Sequence, residues 1–411
     1  TSDWSTGLIF SQASKVTLKN LIIRNFDVGV LFNSEGGCAT LENVTIEACK
    51  EGVKLVETFQ LNLSLLDTTI LGCETGVNIE TESSDNTILG GTILSTNIGV
   101  SVKGGTGNHI FNTDISDFGD EGTYGIKIFN GAESLDITGG TIEYFDVGIG
   151  FETDGFELTI SENARIQGCR AGIEFLENYL VNVDMTGITY DAGNDADNDP
   201  VITECDMAVL FTAGSANNTL SYGTLVGNDQ GVVFQACSGD MDGEAPDDNR
   251  IIGTRIEGNS LTGVSVFNGS GNRFENCIVS GSETGVAFLG GSDNQLTSCA
   301  VTSNDVGVLI GRHSSGNVIR GEDENDLDAK VENNGTDNFQ IDGDNNLVEN
   351  ITLSSGNGLG HISGENNLLS GITIEGAGDG TGIGLIVPGG DVHLNNVIIK
   401  KFNVGVGFDL D

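Results

Sequence analysis

Residues 269–288, GSGNRFENCIVSGSETGVAF, and residues 292–310, SDNQLTSCAVTSNDVGVLI, superimpose when one is slid 22 positions along the other. Asn272 falls on Asn294, Phe274 on Leu296, Cys277 on Cys299, Val279 on Val301 and Gly285 on Gly307. The glycine followed by Val, Ile or Leu is the most visible mark, and it recurs at Gly7, Gly29, Gly52, Gly76, Gly99, Gly125, Gly148, Gly172, Gly231, Gly263, Gly285, Gly307, Gly382 and Gly405. Most intervals are 22 to 24 residues. Weaker copies at Ala208, Asn338 and near Gly360 fill the longer gaps, giving about 17 repeats. A period of this size signals a solenoid.

Positions +1 and +3 after the glycine are apolar, as in Val30/Phe32, Val77/Ile79, Ile149/Phe151, Val232/Phe234 and Val406/Phe408. Alternation of this kind belongs to a strand with one buried face. A second apolar pair lies at −8 and −6, as in Leu21/Ile23 and Val44/Ile46, and a third site at −11, as in Leu18 and Leu41. Each repeat therefore holds about three short strands. A unit this small cannot bury its own inward face, but the next unit stacked about 4.8 Å above it can. The pattern predicts an all-β chain: a single right-handed parallel β-helix over residues 1–411, interrupted by acidic insertions near 191–200, 239–250 and 322–335. Asparagine recurs thirteen positions before the glycine at Asn86, Asn218, Asn272 and Asn294, with near-equivalents at Asn108, Asn249, Asn317, Asn345 and Asn366. These are read as turn residues or as a stacked amide ladder.

Composition agrees with a chain that turns every few residues: 61 Gly and only 3 Pro. Against 60 acidic side chains stand 17 basic ones, a net charge of −43. Nucleic acid is excluded as a natural partner, and insertion into a membrane is not expected, because no apolar run approaches the roughly 20 residues of a spanning helix. Acids at the same corner of successive repeats, such as Asp27, Glu51 and Glu74, are expected to repel and to need counterions.

The two quoted stretches resemble NosD-type and pectin-lyase-like β-helix repeats, and the resemblance runs over nearly the whole chain. It implies a right-handed parallel β-helix. That superfamily includes polysaccharide lyases, hydrolases, epimerases, phage tailspikes, adhesins and surface proteins, so activity stays open.

No catalytic constellation is read. Fragments similar to those of sugar hydrolases, Asn112-Thr113-Asp114, Asp247-Asp248, Arg255-Ile256 and Gly360-His361, have the wrong order and spacing. Asp114 and Asp247 would stand some five coils, roughly 25 Å, apart, too far to flank one glycosidic bond. One Trp and 5 Tyr supply little for an aromatic sugar groove. For a metal, the acidic insertions offer oxygen ligands of the kind Ca²⁺ prefers: Asp195, Asp197 and Asp199 in one, Asp240, Asp242 and Glu244 in another. Solvated loops of like charge are the competing reading. No cofactor other than Ca²⁺ is indicated.

Six of the eight cysteines fall into pairs on adjacent repeats: Cys49/Cys73, Cys169/Cys205 and Cys277/Cys299. Stacked α-carbons lie within reach of a disulfide, while a column of reduced core thiols is the alternative. Cys38 and Cys237 have no stacked partner. The first repeat glycine at position 7 and the last at 405 leave little room for caps, which leads to an expectation of copies stacking through the solenoid ends if the chain is complete, or of further coils or a cap outside it if it is a fragment. Two functions follow: an extracellular or cell-surface structural unit that assembles into a sheath, layer or fibre, or a carbohydrate-active β-helix. The second would bind or cleave polysaccharide at a cell or virion surface.

Overall fold

The computed structural model describes residues 5–11, 15–118, 122–185, 200–235, 245–322, 329–354, 359–376 and 383–408. Among them every regular element is a strand, gathered into one sheet of 17 strands and one of 30. Contacts divide the chain into two units, residues 1–206 and 207–411, and each is a stack of parallel coils. The architecture is the right-handed parallel β-helix expected from the repeat.

One coil of the first unit shows the construction. Thr75–Ile79 lies in the 17-stranded sheet, and Thr87–Leu89 and Thr92–Leu94 follow in the other. The chain then returns as Ile98–Val102, with Val100 over Val77 and Val102 over Ile79. Left-handed backbone marks each bend: Glu82 and Asp85, then Gly90 and Gly91, then Ser95. The second unit repeats the plan, with Val308 over Val286 and left-handed corners at Asp293, Ser298 and Ser303.

The apolar template is the core. Val30, Phe32, Val77, Ile79, Ile149, Phe151, Val232 and Phe234 are all buried, each contributing roughly 1.5–3 kcal/mol of hydrophobic transfer. Phenylalanines stack in columns, with Phe151 and Phe175 at 5.2 Å. Template residues at the ends of the described stack depart from expectation. Leu21 is partly exposed and Phe408 is 67% exposed, because they sit in the outermost described coils, where one side of the stack lacks a neighbouring rung.

The recurrent glycine owes its place to crowding. A Cβ on Gly29 would stand 2.6 Å from the carbonyl oxygen of Gly52 and 2.7 Å from the Ile46 side chain. The same collision recurs at Gly52 against Gly76 and at Gly148 against Gly172. The glycines thus form a column in which each backbone lies directly against the next. In the coil before the last, Gly384 meets Gly405 in this way, which corrects the repeat position read at Gly382 by two residues.

The asparagines at −13 form hydrogen-bonded ladders. Asn86 donates from both its main-chain N and its Nδ2 to Asn108 Oδ1. In the second unit Asn218, Asn249, Asn272, Asn294 and Asn317 do the same in succession. The ladder then continues through Asn346 and Asn367. Asn345 and Asn366 are therefore corrected by one residue: both adopt left-handed backbone at the corner and hand the ladder to the next residue. A second ladder, Asn228 to Asn259 and Asn304 to Asn334, occupies the slot three or four residues before the repeat position.

Candidate functional site

The cysteines of the first unit use that same slot. Gln167 pairs with Thr203 in register, which sets Cys169 beside Cys205, and Glu47 with Leu71, which sets Cys49 beside Cys73. In the second unit Cys277 N donates to Cys299 Sγ at 3.3 Å. All six are buried free thiols. Each S–H points to the main-chain carbonyl two residues earlier, as Cys49 does to Glu47 and Cys73 to Leu71. The paired thiols are stacked neighbours, and Cys169 with Cys205 and Cys277 with Cys299 also interact side chain to side chain. Burial pushes the Cys73 thiol up to about 11. Cys38 is exposed.

The candidate calcium ligands Asp195, Asp197, Asp199, Asp240, Asp242 and Glu244 lie outside the described residues, as does Cys237. Among the described residues no three His, Cys, Asp or Glu side chains converge on a metal position. His109 is engaged with Thr138 Oγ1 at 2.8 Å, and His393 lies near Asp391. Asp114 and Asp247 serve their local turns, accepting from the backbone N–H of Thr141 and of Ser270 respectively.

Outward-facing positions carry the charge. Basic residues are scarce, and most bridge to an acid, often one coil away: Lys19 to Glu42, Lys50 to Asp27, Lys127 to Glu152, Arg170 to Asp146 and Arg250 to Glu275. Lys54 lies between Glu51 and Glu80 at 2.9 and 3.0 Å. This corrects the expected stack of like charges at Asp27, Glu51 and Glu74. Lys50 holds Asp27 at 2.6 Å, and Glu51 belongs to the Lys54 pair. Elsewhere in the first unit, burial pushes the Glu174 carboxyl up against the opposing pull of Arg170. Burial likewise raises the Tyr124 phenol, helped by Glu174 and Glu152.

Of the 17 basic residues, only Lys15, Arg165, Arg273, Arg312 and Arg320 have no acid partner among the described residues. Two of these five face one pocket. It has a volume of about 450 Å³ and is lined by Arg273, Glu275, Asn276, Gln295, Thr297, Arg320, Gly321, Glu322 and Glu349.

The β-helix register assembles this pocket from four successive rungs. Arg273 lies beside Gln295, Glu275 beside Thr297, Thr297 beside Arg320, and Arg320 beside Glu349. The intervening Phe274, Leu296, Ile319 and Val348 point inward and are buried, so alternation throws the polar side chains outward. Four rungs span roughly 14 Å along the axis. Left-handed corners at Asn276, Ser298 and Asn350 bend the chain beside it. Glu275 is held at 2.6 Å by Arg250 from outside the lining. Sequence reading missed the site: its residues come from four repeats, at outward positions whose identities change from coil to coil.

A search of curated protein sequences gave no match. Among solved structures, the A-module of an Azotobacter vinelandii mannuronan C-5 epimerase is similar at 14% identity and a TM-score of 0.38, over 88% of this chain and 90% of that one. A periplasmic alginate epimerase is similar at 13% identity and a TM-score of 0.31, over 93% and 76%. A surface adhesin of Streptococcus pneumoniae is similar at 12% identity and a TM-score of 0.19, over 93% and 85%. A family described as "Periplasmic copper-binding protein (NosD)" matches residues 1–119 and 116–338. With most of its length matched and its coils stacked as a parallel β-helix, the chain belongs to the NosD family.

Proposed function

We propose that the protein binds polysaccharide outside the cytoplasm, using the pocket between Arg273 and Glu349. The observation that carries this is the lining. Guanidinium, carboxylate, carboxamide and hydroxyl groups all open onto one cleft of about 450 Å³, and Arg273, Asn276, Gln295, Thr297, Arg320 and Glu349 make no side-chain hydrogen bond to other described residues. Sugars present hydroxyls in every direction, and such a set of donors and acceptors can match them. The parallel ladder keeps the lining residues on rigid rungs, which reduces the ordering cost of binding. Isothermal calorimetry against a panel of oligosaccharides tests the reading. Binding is expected for at least one, and Q295A with E349A is expected to weaken it about tenfold.

The copper in the family description finds no matching donor set in the described residues. Six of the described thiols lie in buried pairs, Cys38 stands alone, and the histidines stand apart.

Self-assembly is a second reading, favoured by the outermost described coil. Ile398 and Phe408 are 57% and 67% exposed there, an apolar surface that a further rung, whether more of the same chain or a coil of another copy, would cover. Light scattering across a concentration series tests it. A mass that rises with concentration supports stacking, and a constant monomer mass removes it.

A further inference from the structure

Resting on the pocket reading, we infer that the ligand is a glycan carrying an isolated anionic group among neutral sugars, and that Arg273 and Arg320 hold this group. Two facts fix the charge pattern. The first is that both guanidinia face the pocket without an acid partner among the described residues, although the chain carries 60 acidic side chains. Arg320 even lies in register with Glu349 on the next rung and forms no ion pair with it. A planar guanidinium matches a carboxylate or sulfate with two parallel N–H donors, and this is the strongest polar contact the pocket can offer.

The second fact is the net charge of −43. A densely charged polyanion approaching such a surface is repelled wherever its other charges extend beyond the pocket. At 0.01 M salt that field reaches about 30 Å, and at 0.15 M about 8 Å. The lining itself also includes Glu275, Glu322 and Glu349, which suit sugar hydroxyls and oppose further anions. Two arginines set among acids therefore select one anion flanked by neutral hydroxyl-bearing rings.

The test is calorimetry on the full chain with four probes: a disaccharide of one glucuronic acid and one glucose, cellobiose, a homopolymeric polyuronate, and glucose 6-sulfate. The acidic disaccharide is expected to bind at least tenfold more tightly than cellobiose. R273Q and R320Q should each erase about tenfold of that preference, weakening the acidic disaccharide far more than cellobiose. R165Q, which removes an arginine from the other unit, should change nothing. The polyuronate should bind weakly at 0.01 M salt and gain on moving to 0.15 M. Glucose 6-sulfate separates the two anions: tighter binding than the acidic disaccharide assigns a sulfated glycan, weaker binding a carboxylated one. The arginines are exposed, so each variant should melt as the parent does; the parent's probe series decides the charge preference without them. Equal binding of cellobiose and the acidic disaccharide overturns the inference and leaves polysaccharide binding standing. Tightest binding of the polyuronate at low salt overturns the isolated-charge argument. Absence of binding to every sugar overturns both readings.

Discussion

Gly52 sits so close under Gly76 that a methyl group on the first would lie 2.6 Å from the carbonyl oxygen of the second, and 2.5 Å from the Ile70 side chain. Backbone cannot retreat from such a contact without breaking the ladder between the two coils. Gly52→Ala is expected to destabilise the protein by about 3 kcal/mol, at the upper end of overpacking costs. Gly72→Ala meets nothing within 4 Å but needs a left-handed backbone at φ +60, and should cost only about 1 kcal/mol. Urea unfolding of the two variants checks the contrast.

Asn272→Ala removes the acceptor for the main-chain N and the Nδ2 of Asn249, and the donor to Pro246 O. Buried groups left without partners cost about 1–3 kcal/mol each. Asn366→Gly should stay within about 0.5 kcal/mol of the parent, since Asn366 is an exposed left-handed corner that glycine adopts freely. Comparing the two melting curves separates ladder from corner.

The Asp27 carboxyl is held down to about 2, first by the Lys50 ammonium and then by Ser5. A folded value below the unfolded one, near 3.9, gives stability that is present above about pH 4 and lost as pH falls through about 2. Lys50→Ala should move the Asp27 titration toward the unfolded value. Carboxyl titration by NMR in both proteins reads this directly.

Thiol labelling distinguishes the stacked cysteines from Cys38. Cys38 should react within the mixing time of an alkylating dye, whereas Cys49, Cys73, Cys169, Cys205, Cys277 and Cys299 should react only after unfolding. If those six still fail to label in denaturant until a reductant is added, they are disulfides in the isolated protein.

The fold was legible because solenoid stacking forces the same residue type into the same place. The glycine column, the +1 and +3 apolar pair and most of the −13 asparagines all repeat for that reason. Asn345 and Asn366 misled by one position because asparagine suits both the corner and the ladder, and sequence does not distinguish those roles. The slot holding Cys169 and Cys205 hid the second amide ladder, since Asn228 and Asn259 fill in one unit what thiols fill in the other. The pocket was illegible for the opposite reason. Arg273, Gln295, Thr297 and Arg320 obey no repeat, because outward side chains are not constrained by the stack.

Register has a consequence for how the chain folds. Val100 reaches back only to Val77, and Val308 only to Val286, so lengthening the solenoid adds partners without moving any existing partner farther away in sequence. The loop that must close before a rung is gained stays near one coil, and the entropy of closing it does not grow with the size of the protein. Such a chain can zip rung by rung from wherever a first pair of coils meets, and a fault in one coil delays its neighbours while distant coils proceed.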